Sequence, residues 1–158
     1  MSFSEYLDDL RAVMAIFNEQ VNCSTRFLFA HSNGSLIATH ALAEISEFQE
    51  WTAAILSSPF YAIKTHVPQW KRFLGKHLST ILPSFQMPTD LKPEAMSHDP
   101  DIIAEYGRDP LIGRVASARW FTETLAAHAE VAQSALSIRI PILMQVAGDD
   151  QVLSLIHI

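Results

Sequence analysis

The chain has 158 residues, of which 49% are hydrophobic and 18% charged, and a formal net charge of −6. That length suits one domain and that apolar share a packed core, while the acidic balance disfavours nucleic acid, whose phosphates call for basic patches. No apolar run approaches the ~18 residues of a membrane-spanning helix, and Met1–Glu5 lacks the charged and apolar regions of a signal peptide, so a cytoplasmic location is expected.

Leu7, Leu10, Val13, Met14 and Phe17 recur at helical spacing and predict a first helix over residues 4–20, with Ser2 or Ser4 as its cap. The single cysteine, Cys23, can form no internal disulfide and reads as a small buried filler. The nearly continuous apolar run Arg26–Ala30 predicts a parallel strand covered on both faces. Asn33, Gly34 and Ser35 break it, and a helix over 36–43 follows. A second strand is predicted over 52–56, ended by Pro59. From 60 to 136 the texture changes to proline-punctuated helical patterns without a strand signal: Trp70, Phe73, Leu74, Leu78 and Ile81; then 102–106; then 116–136. A third strand follows at 140–146. The order describes an α/β class protein, a partial parallel core of about three strands with a helical cap inserted between the second and third. The implied division is 1–59 with 137–152 as core and 60–136 as cap.

Ala30-His31-Ser32-Asn33-Gly34 is a variant of the G-x-S-x-G nucleophile elbow, in which a sharp strand-to-helix turn pushes a serine hydroxyl clear of the backbone. Small residues are expected two positions either side, where strand and helix pass closely. Gly34 meets that demand and Ala30 is a departure. Ser32 is thus the candidate nucleophile, the alternative being a serine that merely caps a helix. The N–H of Asn33, at the helix start, can donate to an oxyanion. Gly148-Asp149-Asp150 follows the third strand, at the sheet edge where ligands gather. A carboxylate there gives the hydrolase order, serine then acid with histidine third; the alternative is a polar turn. The only histidine beyond Asp150 is His157, which is too near in sequence to serve as the base. His31, His40, His66, His77, His98 and His128 come too early in that order and have no metal-ligand spacing, so no metal is expected.

Together these segments resemble the monoacylglycerol lipase/lysophospholipase group of serine aminopeptidase-like α/β hydrolases. The resemblance runs from Phe3 to about Leu153 and includes Leu56-Ser57-Ser58-Pro59, two cap signatures (Ser97-His98-Asp99-Pro100 and Tyr106-Gly107-Arg108-Asp109-Pro110-Leu111), and Ile140 to Val152. It implies an α/β-hydrolase fold and a serine ester hydrolase with Ser32 as nucleophile, Asp150 rather than Asp149 as the acid, and Asn33 N–H as one oxyanion donor. It implies no cofactor. The implied substrate is a lipid ester or other small acyl compound, reached through a cap whose apolar side chains also suit peripheral membrane contact. An aminopeptidase of the same fold, or an inactive fragment or non-catalytic binding protein, is the alternative. The family's earlier strands and later histidine are not matched, so the chain is expected to be cut at both ends and inactive alone. Residues 153–158 depart from the family and match the translation of a common sequencing adapter, so a non-native tail is expected there.

Overall fold

A computed structural model describes residues 2–64, 68–89 and 91–153. Helix α1 (Phe3–Gln20) begins in a capping box, where Ser2 and Glu5 satisfy each other's backbone donors. The Ser2 N–H holds the Glu5 carboxyl below its ordinary range. Strand β1 (Phe27–His31) leads into α2 (Asn33–Glu44), a short 3₁₀ turn follows, and β2 (Ala53–Ser57) comes next. Helix α3 (Gln69–Ile81), β3 (Gln86–Pro88), α4 (Pro100–Arg108), β4 (Val115–Ser117) and α5 (Ala118–Ala135) then precede β5 (Ile142–Gln145).

The main sheet has the order β1-β2-β5 and both pairings are parallel. Register matters for the site: Ala30 lies opposite Leu56, His31 opposite Ser57, and Ser57 opposite Gln145. The residues after all three strands therefore emerge at one edge. Backbone bonds extend each ladder by one step, Ser32 N–H to Ser57 O at 3.0 Å and Ser58 N–H to Gln145 O at 2.8 Å.

Helix α2 is buried along most of its length, with Ser35, Thr39 and His40 as well as its apolar residues inside. On one side Ala41 and Leu42 pack with Leu7, Met14, Ile45, Phe48 and Ala54. On the other, Leu36 and Ala38 pack with Leu56, Tyr61, Ala127 and Val131. Helix α5, which falls within the 60–136 insertion, therefore packs on a core helix. It also packs against α3, where Gly75 admits Phe121: an added Cβ would stand 3.4 Å from that ring.

Three expectations are corrected. The 60–136 segment contains strands after all: β3 and β4 form a separate antiparallel pair, outside the main sheet. Strand β1 is covered on one face only. Leu28 and Ala30 turn toward the helices, whereas Phe27 and Phe29 are 59% and 65% exposed, because β1 is an edge strand with no described element over that face. Cys23 is exposed, on the loop before β1, and its thiol donates to the Thr25 carbonyl. Trp70, Phe73, Leu74 and Ile81 point outward, since α3 uses its opposite side, with Gly75 and Ser79, to meet α5. His66, His157 and the tail from Ser154 onward lie outside the described residues.

Candidate active site

Ser32 stands between the last residue of β1 and the first of α2, with φ 52° and ψ −122°. This is a left-handed region that non-glycine residues enter at a cost of about 1–3 kcal/mol, and it persists only where the surroundings enforce it. Here they do. The Ser32 N–H is tied to β2 through Ser57 O, and its carbonyl accepts from Ser35 N–H at 2.9 Å and Phe60 N–H at 3.2 Å. With the backbone fixed on both sides, the hydroxyl projects without a hydrogen-bond partner among the described residues.

The close approach behind Ser32 is not at Gly34, as the motif suggested. A Cβ on Gly34 would meet nothing within 4 Å. The tight position is Ser35, which is fully buried and donates its hydroxyl to Ala30 O at 2.9 Å. A larger side chain there would push α2 off the ends of β1 and β2. Asn33 is the first residue of α2, so its N–H has no carbonyl one turn back within the helix to bond. The Oδ1 of its side chain is buried without a partner among the described residues.

Ser32 lines a cleft of about 510 Å³. The sheet edge contributes His31, Ser32 and Ser58, the segment between β3 and α4 Leu91 and Glu94 to His98, and the loop after β5 residues 147–153. Ser32 and Asp150 thus share one cleft. Asp150 closes its own turn: Oδ1 accepts from Val152 N–H at 2.9 Å and Leu153 N–H at 2.8 Å. Its Oδ2 has no partner among the described residues. Asp149 lines the cleft as well, and its Oδ2 meets His98 Nε2 at 2.9 Å, a bond from the loop after β5 to the residues just before α4. The His31 ring bonds Ser57 Oγ through Nδ1 at 3.2 Å. Neither ring bonds Ser32 or Asp150.

The outward-facing α3 residues do not line this cleft, and its apolar walls come from Leu91, Ala95, Met96 and the loop after β5. The other described histidines lie elsewhere. His40 is buried, bonding Ala127 O and Ser134 Oγ, and His77 packs edge-on against Phe73. His128 sits edge-on to Phe60, and burial pushes its pKa down. No group of three or more His, Cys, Asp or Glu suited to a metal ion occurs among the described residues. No described helix is long and apolar enough to cross a membrane. The roles of Ser35, Phe60 and His98 are not readable from the sequence alone, because each depends on contacts with segments distant in the chain.

A parallel sheet flanked by helices, with a strained serine at a strand–helix junction, is the arrangement of an α/β hydrolase. The chain belongs to the serine aminopeptidase S33 family, whose model matches residues 1–155. It is 29% identical over 154 residues to the phospholipase YtpA of Bacillus subtilis, covering 95% of this chain and 57% of that protein. A probable lysophospholipase L2 from Haemophilus influenzae is 41% identical over 61 residues, which are 39% of this chain and 19% of that one. The monoacylglycerol lipase of Paleococcus ferrophilus superposes with a TM-score of 0.79 at 23% identity, over 92% of this chain and 54% of its own. A soluble variant of the Saccharomyces cerevisiae monoglyceride lipase, solved with a substrate analog, gives 0.74 at 17% identity over 97% and 52%. The chain spans about half the length of the relatives it matches along its whole extent.

Proposed function

We propose that the whole protein hydrolyses carboxylic esters of lipids, monoacylglycerols or lysophospholipids, with Ser32 as nucleophile. One observation carries the reading: a serine held at φ 52° on the sheet edge shares a cleft with Asp150. The Ser32 hydroxyl attacks the ester carbonyl, and its proton passes to an imidazole between it and Asp150. That imidazole later protonates the departing alcohol, and water reverses the sequence to release the acid. Asp150 is suited to orient the imidazole, since its turn occupies Oδ1 and leaves Oδ2 open. Asn33 N–H is suited to the oxyanion that develops on the carbonyl oxygen. The exposed Trp70, Phe73 and Ile81 support contact of the cap with a lipid surface.

No described histidine bridges Ser32 and Asp150, so the 158-residue chain is expected to turn over esters far below an enzymatic rate. Lack of the base typically removes several orders of magnitude. The test is chemical rescue: a lipid-ester panel and an aminoacyl panel, each assayed with and without added imidazole, beside Ser32→Ala. Imidazole-dependent hydrolysis of acyl esters that Ser32→Ala lacks supports the reading. Preference for aminoacyl substrates points to a peptidase, and no serine-dependent turnover to a non-catalytic protein.

A further inference from the structure

The segment that leaves β2 touches both halves of the candidate site before it enters the cap. Phe60 N–H donates to Ser32 O at 3.2 Å. The next residue, Tyr61, is buried, and its hydroxyl meets Thr39 Oγ1 of α2 at 2.6 Å. These two contacts fix the segment to the serine and to the helix that begins beside it. Two residues further, the same segment reaches the acid turn. Ile63 forms an antiparallel bridge with Leu153, and Lys64 N–H donates to Val152 O at 3.1 Å. The Lys64 ammonium donates to the carbonyl of Asp150 itself at 3.0 Å. Val152 is therefore held from both sides, its N–H by the Asp150 carboxylate and its carbonyl by Lys64.

We infer that residues 60–64 are a brace that sets the spacing between Ser32 and Asp150, with Lys64 as its positioning residue. The inference rests on the reading of those two residues as nucleophile and acid. Lys64 is exposed, so its charge is screened and its contribution is geometric: it fixes the backbone of the residue whose carboxylate must hold an imidazole. A methionine there keeps the stem and loses the donor, and an arginine keeps a donor.

The experiment compares Lys64→Met and Lys64→Arg in the 158-residue chain. Amide hydrogen exchange is followed by NMR at Val152 and Leu153, with Val131 of α5 as reference. Imidazole-supported labelling of Ser32 by a fluorophosphonate is followed by mass spectrometry. Lys64→Met should speed exchange at Val152 and Leu153 up to about tenfold, the scale of one ordinary hydrogen bond, and leave Val131 unchanged. It should also slow imidazole-supported labelling about tenfold, with Lys64→Arg recovering most of the loss. In an Asp150→Asn background, Lys64→Met should have no further effect on labelling, which a merely stabilising lysine would not produce. Faster exchange with unchanged labelling would overturn the positioning role, and unchanged exchange would overturn the brace. Absence of any Ser32 labelling in the unmutated chain would instead count against the proposed function, and exchange alone would then decide whether Lys64 holds the turn.

Discussion

At Ser32 local strain and proposed chemistry meet, and the strain can be measured apart from the chemistry. A residue at φ 52° is strained unless it is glycine, so Ser32→Gly is expected to stabilise the chain while removing the hydroxyl. Relief of about 1–3 kcal/mol of strain outweighs the roughly 0.5–1 kcal/mol of extra entropy that glycine loses, giving a net gain of about 1 kcal/mol. Urea denaturation of the two proteins reads this; a loss of stability would mean that the backbone at Ser32 is relaxed. The elbow was legible in the sequence because its pattern is local: strand, small residue, serine, glycine, helix. The reason assigned to Gly34 was not borne out, since the crowding falls one residue on, at Ser35. Pattern spacing locates such a turn but does not say which carbonyls its residues will meet. The bond between His98 and Asp149 joins positions 51 residues apart and left no trace in local spacing.

Among the elements, long periodic helices and the three strands of the main sheet were legible, and the three-residue strands were not. Helix α1 shows why even a good pattern overreaches: Leu7 and Met14 are buried, but Val13, counted on the same face, is 61% exposed. Strands β3 and β4 have three residues each, too few for alternation to register, and β3 ends on Pro88, which is tolerated only at an edge. Two expectations belong at this scale. Tyr61→Phe removes the hydroxyl that joins the brace to α2 and should cost about 1 kcal/mol, read by thermal or urea unfolding, since Thr39 keeps its bond to Ser35 O. His128 of α5 carries a pH dependence. Burial is the main cause of its lowered pKa, with the nearby His40 adding to it and a backbone hydrogen bond at Phe60 opposing it. Because the folded chain binds this proton less readily than the unfolded chain, stability is fully present above the ordinary value of about 6.5 and is lost as pH falls through the lowered value. Unfolding temperatures at pH 7.5 and 5 should therefore diverge more in the unmutated chain than in His128→Phe. Equal divergence would show that His128 does not titrate differently on folding.

For the molecule as a whole, α2 is enclosed on both sides while the far face of the sheet is open. Phe27, Phe29 and Leu143, which share that face, are each more than half exposed, and β1 and β5 are the outer strands of their sheet. An apolar face bounded by unpaired strand edges favours association. The 158-residue chain is therefore expected to self-associate in a concentration-dependent manner, and Phe29→Lys should reduce it. Sedimentation velocity checks this; a monomer at all concentrations would show the face to be innocuous. The fold class was readable because element order alone restricts an α/β chain to few topologies. The coverage of the sheet faces was not readable, because an apolar strand looks the same in sequence whether or not anything lies over it.

In the proposed function Ser32 is a nucleophile served by an imidazole that Asp150 orients. Fluorophosphonate labelling of the chain, with and without imidazole and with the modified serine mapped by mass spectrometry, distinguishes that role from a serine that merely caps a helix. The expected result is one phosphonylated serine, Ser32, labelled at a rate that imidazole raises and Asp150→Asn lowers. Labelling spread evenly over the chain's serines, or confined to a serine other than Ser32, would contradict the account.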